Sequence, residues 1–185
     1  AAAYAGSLGR RAFPHWSAMS SPFGNVYADA ERARSYATLD YPGTYFLAFR
    51  DVPDLLRQHV HGRHALDFGC GTGRSTRFLK RLDYEAIGIE ISEAMVAEAR
   101  VRDPEGEYRV VPADRPPSLT QGAFDLVFAA FTFDNIPTDT KPRLFRTLRD
   151  ALRPTGRLVI IVSRPEIYWH EWASFSTKDF PENRA

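Results

Sequence analysis

Three glycines at alternate positions, set between a short apolar run and a helical pattern, constrain this chain more than any other feature. The stretch reads His64-Ala65-Leu66-Asp67-Phe68-Gly69-Cys70-Gly71-Thr72-Gly73-Arg74-Ser75-Thr76. Its first part, bounded by Gly62, predicts a buried strand. Beyond the glycines, Phe78, Leu79 and Leu82 fall at helical spacing, so the glycines form a strand-to-helix turn. Such a turn lets a ligand approach the backbone, because glycine has no Cβ and tolerates positive φ. It is also expected to leave N–H groups of the helix start open to that ligand.

Two nucleotide-type ligands use turns of this kind. A dinucleotide fingerprint reads G-x-G-x-x-G, with an acidic residue about 20 positions on. Here the pattern is G-x-G-x-G, and Asp67 stands just before it. A carboxylate there repels a pyrophosphate but suits a cationic ligand carrying an ammonium group. Ala86-Ile87-Gly88-Ile89-Glu90 reads as a second buried strand. Glu90 at its end can accept hydrogen bonds from two vicinal ribose hydroxyls. Taken alone, it would read as a solvated charge at a strand end.

The rest of the chain alternates in the same way. Ala, Glu, Arg and Tyr between Val26 and Leu39 favour a helix, and Tyr41 and Tyr45 follow around a Pro42-Gly43 turn. Pro53 opens a short helix through Val60, which Gly62 ends. His59, His61 and His64 straddle that helix end, so a solvated turn explains them better than a metal site, and no metal is expected. Ser92 is positioned to cap a helix whose stripe is Met95, Val96 and Ala99. Tyr108 to Val111 reads as a third strand, followed by Pro112-Ala113-Asp114, and Phe124 to Phe131 as a fourth. Pro142 opens a helix with Leu144, Phe145, Leu148 and Leu152 inward. Arg153-Pro154-Thr155-Gly156 then turns into the fifth strand, Arg157 to Val162, with Gly156 expected at positive φ. The predicted fold is α/β, a doubly wound, Rossmann-like and mostly parallel sheet. Ligands bind outside the carboxyl ends of such strands. Asp67, Glu90, Asp114 and Phe131 all fall there.

The run D-F-G-C-G-T-G from Asp67 to Gly73 resembles motif I of the class I S-adenosylmethionine-dependent methyltransferases, and Phe124-Asp125-Leu126-Val127 resembles a later motif of that family. The resemblance covers roughly Tyr27 to Ser163. It implies S-adenosyl-L-methionine as cofactor, with its amino-acid end over Gly69, Cys70, Gly71, Thr72 and Gly73. Ile91 and Met95 would flank the adenine, although Met95 also reads as core. Asp114 would accept from the adenine amino group beside a backbone N–H such as that of Ala113, or simply serve as a turn residue before Pro116. Ala130 and Phe131 would face the sulfonium. Tyr27 and Tyr36 are the aromatics expected to close the methionine end, where composition alone reads them as helix-packing residues.

Catalysis by methyl transfer needs no triad, since the donor arrives activated, and no catalytic residue stands out. Asp134 and Asn135, beyond the fourth strand, and His170, in an aromatic run near Trp169, are candidates to meet the acceptor. Turn formation explains Asp134 more readily, and packing explains His170 equally well. The family's run for exocyclic base amines is absent here. With net charge +1 and dispersed basic residues, nucleic acid is not an expected partner. No apolar run reaches the ~20 residues that cross a bilayer. The single cysteine, Cys70, fits a reducing, cytoplasmic setting. Residues 1–21 read as a disordered extension and 22–185 as one methyltransferase domain lacking the family's C-terminal antiparallel hairpin, so that an oligomeric partner could cover the edge of the fifth strand. The expected activity is methyl transfer to a small molecule. The alternatives are a cofactor-binding scaffold without acceptor chemistry and an NAD-dependent oxidoreductase.

Overall fold

The structure, a computed structural model, describes residues 28–38, 42–113 and 117–163. Three helices come first: α1 (Ala30–Thr38), α2 (Pro42–Phe49) and α3 (Val52–His59). Strand and helix then alternate through β1 (His64–Phe68), α4 (Arg74–Arg81), β2 (Glu85–Glu90), α5 (Glu93–Arg102), β3 (Glu107–Val110), β4 (Phe124–Ala130), α6 (Lys141–Ala151) and β5 (Leu152–Ile161). The sheet has the order β3-β2-β1-β4-β5, and every pairing is parallel. The doubly wound expectation is met. From β1 the chain moves outward to β2 and β3, then crosses back to β4 and β5, so the order reverses between β1 and β4. A crevice opens at the carboxyl ends of two strands that part in this way.

Alternation along each strand divides the core between the two sheet faces. Leu126 and Phe128 of β4 pack with Ala65, Ala86, Leu79 and Leu56 on the side of α3 and α4. Val127 and Ala129 pack with Leu66, Ile89, Leu144 and Leu148 on the side of α6. β4 is buried along nearly its whole length, as a central parallel strand should be. β5 forms one outer edge, and its residues are only partly covered.

Two local expectations are corrected. Pro42-Gly43 begins α2 rather than a turn, since the fixed φ of proline suits a first helical turn. Gly156 is not at positive φ. Crowding explains the glycine instead: a Cβ there would lie 2.9 Å from Leu152 Cδ2, 3.0 Å from the Phe124 carbonyl oxygen and 3.1 Å from that of Arg153. The register of β5 against β4 shifts between Phe124 and Leu126, so residues 153–156 form an irregularity within the strand rather than a turn before it. The expected extension 1–21 lies outside the described residues.

At the amino end of β4 a buried charge locks three strands. Asp125 Oδ2 accepts the His64 N–H at 3.0 Å, and Arg153 Nη1 donates to both carboxylate oxygens at 2.7 Å. Burial alone would raise this carboxyl, but the Arg153 and His64 bonds outweigh it and hold its pKa below the ordinary carboxylate value. Because the folded pKa is depressed, the stabilisation is present above about pH 4 and is lost as pH falls through the folded value. Asp125→Asn is therefore expected to cost about 1–2 kcal/mol at neutral pH, a charged hydrogen bond discounted for the partly exposed Arg153, and to reduce the loss of stability in acid. Urea unfolding between pH 2.5 and 7 checks both (~pH values spanning the carboxylate range).

Candidate functional site

The site is built on the turn between β1 and α4. Gly69, Gly71 and Gly73 lie at φ 73°, 53° and 76°, the left-handed region in which side chains are strained. Several of the turn's own N–H groups are already engaged within the protein. Those of Gly69 and Cys70 donate to the Ile89 carbonyl at 2.8 and 3.1 Å, and that of Gly73 to the Cys70 carbonyl at 2.9 Å. The end of β2 runs close enough to take them. Gly71 N–H donates to Glu90 Oε2 at 3.1 Å.

Asp67 sits beneath the turn with no exposure to solvent. Its Oδ2 accepts from Ser75 Oγ at 2.7 Å and Thr76 Oγ1 at 2.6 Å, both in the first turn of α4. Its Oδ1 is buried with no hydrogen-bond partner among the described residues. Burial pushes the Asp67 carboxyl up to about 6; the Thr76 and Ser75 hydroxyls pull the other way, and the charge on Glu90 adds to the rise. Gly88, directly beside Asp67 in the β1–β2 register, leaves the space that Cys70 Sγ and Thr76 Oγ1 fill: a Cβ there would lie 2.8 and 2.9 Å from them. Burial, with Asp67 and Glu90 nearby, pushes the Cys70 thiol well above its ordinary value. It is a packed, protonated group rather than a nucleophile.

Glu90 ends β2 facing the turn. Its Oε1 accepts the N–H groups of Ile91 at 2.8 Å and Ser92 at 3.1 Å, and its Oε2 that of Gly71. A carboxylate offers about four lone-pair directions. One stays available, and accepting two hydroxyls requires release of the Gly71 N–H. Over Gly71 the space is bounded by Met95 Cε, 3.5 Å from where a Cβ would stand, and Tyr36 Cε1 at 4.0 Å. Ser92 caps α5 as expected, its side chain accepting from the Met95 N–H.

Across the crevice, Phe131 is held at φ 57° by its N–H bond to the Ile161 carbonyl at 2.8 Å. Thr132 closes the gap to the turn. Its hydroxyl lies 3.1 Å from the Phe68 carbonyl oxygen and 3.3 Å from those of Gly69 and Ala130. A Cβ at Gly69 would collide with Thr132 at 2.3 Å, so the missing side chain is what lets β1 and β4 approach here.

A family model described as a methyltransferase domain matches residues 65–156. A solved structure of an S-adenosylmethionine-dependent methyltransferase from Mesorhizobium loti is 30% identical with a TM-score of 0.55, over 66% of this chain and 56% of that one. The chain belongs to the class I S-adenosylmethionine-dependent methyltransferase family. Among curated relatives, a trans-aconitate 2-methyltransferase of Acidovorax sp. (strain JS42) is 36% identical over 104 residues, 55% of this chain and 39% of the relative. A ribosomal protein L11 methyltransferase of Ralstonia pickettii is 29% identical over 149 residues, 80% of this chain and 46% of the relative. The chain spans about half the length of the curated relatives it matches, or less.

In this methyltransferase domain Asp67, Gly69, Cys70, Gly71, Thr72, Gly73, Glu90, Ile91, Met95 and Tyr36 gather at one place, with Ala130 and Phe131 across the crevice. Ala113 follows β3 and is exposed. Asp114, Tyr27 and His170 lie outside the described residues. Asp134 and Asn135 are engaged within the protein. Asp134 Oδ2 accepts the Ser163 N–H at 3.0 Å, and Asn135 Nδ2 donates to the Phe131 carbonyl at 3.1 Å. Ser75, Thr76 and Thr132 were missed by sequence reasoning. Two adjacent hydroxyl residues just beyond Gly73-Arg74 were a legible signal for the first pair, but Thr132 had none. Of the histidines weighed for metal, His64 stands half-exposed with its ring nitrogens 3.5 Å from Glu85 and 3.4 Å from Asp125. No group of three or more metal-ligating side chains gathers among the described residues. No described helix is long and apolar enough to cross a membrane.

The raised pKa of Asp67 has a stability consequence. Between about pH 4 and 6 the folded chain keeps a proton that the unfolded chain has released, so stability falls across that window, by about 3 kcal/mol for a two-unit shift. Asp67→Asn is expected to remove this decline and to leave the ligand-free chain at least as stable as wild type at pH 7. Chemical denaturation of both chains at a series of pH values reads the difference.

Proposed function

We propose that this domain transfers the methyl group of S-adenosylmethionine to a small-molecule acceptor. The observation that carries the reading is the buried Asp67 Oδ1, a carboxylate oxygen without a hydrogen-bond partner among the described residues, beneath a glycine turn. It suits the ammonium of the cofactor's methionine end and repels a pyrophosphate. Glu90 would take the ribose hydroxyls, with Ile91 and Met95 against the adenine and Tyr36 over the methionine end. Ala113 and Asp114 would meet the adenine edge, and Tyr27 would join Tyr36.

When bound, the cofactor supplies an activated methyl whose bond to sulfur breaks as the acceptor's lone pair attacks, leaving S-adenosylhomocysteine. The chain's own residues then have mainly to orient and to exclude water, contributions that reach ~7–11 kcal/mol in well-aligned reactions. Thr132 holds the carboxyl end of β4 against the turn and the Phe131 N–H ties it to β5, which fixes the wall that Ala130 and Phe131 present. With Asp134 bonded to Ser163 and Asn135 to Phe131, neither is assigned as a base, and an acceptor that arrives deprotonated, or that ionises readily, needs none. The dispersed charge supports a small acceptor, as does the likeness to a trans-aconitate 2-methyltransferase. The ribosomal protein L11 relative favours a second reading, a protein acceptor. Cys70 as a buried thiol suits a reducing compartment.

Calorimetric titration with S-adenosylhomocysteine, with NAD as control, tests the cofactor. Micromolar binding of the first alone is expected, weakened about tenfold or more by Glu90→Ala through loss of charged hydrogen bonds. No binding by folded protein contradicts the reading. Incubation with methyl-labelled S-adenosylmethionine and a cell extract then tests the acceptor. Label in the low-mass fraction supports a small molecule, and label in precipitated protein supports the second reading.

A further inference from the structure

Two side chains flank Gly88 on one face of the sheet. Asp67 stands beside it on β1 and Tyr108 beside it on β3, and register partners in parallel strands share a face. Asp67 reaches Ser75 and Thr76 in α4. Tyr108 is the second arm. A Cβ on Gly73, the last glycine of the turn, would lie 2.6 Å from the Tyr108 hydroxyl oxygen, and one on Gly88 would lie 2.8 Å from its Cδ1. A Cβ on Gly106, just before β3, would strike the other edge of the ring. Three separate segments thus leave room for one buried ring, which also packs with Cys70, Val96 and Ala99.

We propose that Tyr108 is a positioning residue for cofactor binding: its ring, braced by Asp103 and Lys80, sets the spacing between Gly73 and Gly88 and so presents the turn and Glu90 together. The assignment rests on the S-adenosylmethionine reading above. Gly73 ends the turn, and Gly88 stands two residues before Glu90 on β2. The bond from the Gly71 N–H to Glu90 Oε2, at 3.1 Å, spans the same two segments. A ring wedged between them fixes how far apart they stand, and with that the geometry of this bond. Tyr108 acts through Gly73 and Gly88, not on the cofactor itself.

The ring is held from several sides. Its hydroxyl donates to Asp103 Oδ2 at 2.9 Å, and Lys80 Nζ of α4 donates to both oxygens of that carboxylate at 2.8 Å. Burial alone would raise the Asp103 carboxyl, but the Lys80 and Tyr108 bonds outweigh it and keep it below its ordinary value, a charged acceptor. Burial, with the Asp103 bond, pushes the Tyr108 phenol up, so it stays a donor. Arg100 Nη2 of α5 donates to the Tyr108 carbonyl at 2.7 Å, which fixes the backbone from which the ring projects. Arg77 Nη1 donates to the Thr72 carbonyl at 2.8 Å and steadies the turn from α4. A ring locked in this way transmits its position, and errors of about 1 Å in such supports cost binding and rate.

The test separates positioning from packing. S-adenosylhomocysteine is titrated calorimetrically into the 185-residue chain, wild type and carrying Tyr108→Leu, Tyr108→Phe or Val96→Ala, at a temperature where urea unfolding shows each chain folded. Val96 is fully buried in the same cluster and serves as the packing control. All three variants are expected to lose stability. Tyr108→Leu, which removes both the reach to Gly73 and the tie to Asp103, should weaken binding about tenfold or more. Tyr108→Phe, which keeps the ring, should weaken it about threefold, and Val96→Ala less than about twofold. If Tyr108→Leu does not fold, Tyr108→Phe is read against the same control. Binding by the Tyr108 variant as tight as wild type, or an equal loss in Val96→Ala, overturns the role of Tyr108 and leaves the cofactor reading standing. Folded wild-type chain that does not bind overturns both.

Discussion

The hydrogen bonds that hold the Asp67 carboxylate under the glycine turn are the constraint on which the rest of this structure depends. Removing a carboxylate from water costs several kcal/mol unless donors replace the water. Ser75 and Thr76 supply those donors from the first turn of α4, so the end of β1 and the start of α4 are fixed to each other through one oxygen. That distance forces the intervening chain into a short loop of left-handed residues, which glycine alone adopts without strain. It also requires room on β2, and Gly88 leaves it. The second oxygen finds no donor among the described residues, and the proposal that the turn receives a cation rests on this feature.

Topology then places that receptor where a second reactant can meet it. The strand order reverses between β1 and β4, and the crevice there is bridged by Thr132, whose hydroxyl is shared among carbonyls of both strands. One hydroxyl proton among three acceptors leaves the rim electronegative, a suitable lining for a sulfonium. Phe131 at positive φ is the strained element of that rim; its N–H donates to Ile161 and its carbonyl accepts from Asn135. Strain that is maintained in this way is a sign that a position matters more than its local cost. A cleft of about 300 Å³ at the opposite end of the sheet, between α3 and the residues before β2, lacks this combination of anion, glycine turn and crevice.

Much of this was legible in the sequence because the relevant signals are local. Alternating apolar runs gave the five strands, and the glycine spacing with Asp67 and Glu90 gave the candidate site and the sign of its charge. The failures were failures of long-range information. That Ile89 and Glu90 would capture the turn's N–H groups depends on how β2 lies against β1, which no spacing records. Thr132 is 64 residues from its partner Phe68, and nothing around it marks it out. Pro42-Gly43 carries turn chemistry, yet it opens a helix, since the fixed φ of proline suits a first helical turn as well as a β-turn. Gly156 is required by the crowding of Leu152 and the Phe124 carbonyl rather than by its own φ, a distinction invisible in the chain alone.

The central claim is that the carboxyl ends of β1, β2 and β4 form the receptor for S-adenosylmethionine. Mapping amide chemical shifts of the isotope-labelled chain on addition of S-adenosylhomocysteine tests it most directly. The account predicts that perturbations centre on Gly69, Gly71, Gly73, Glu90, Ile91 and Phe131. Perturbations centred on Arg57, Val60, Asp83 and Tyr84, at the other end of the sheet, would contradict it.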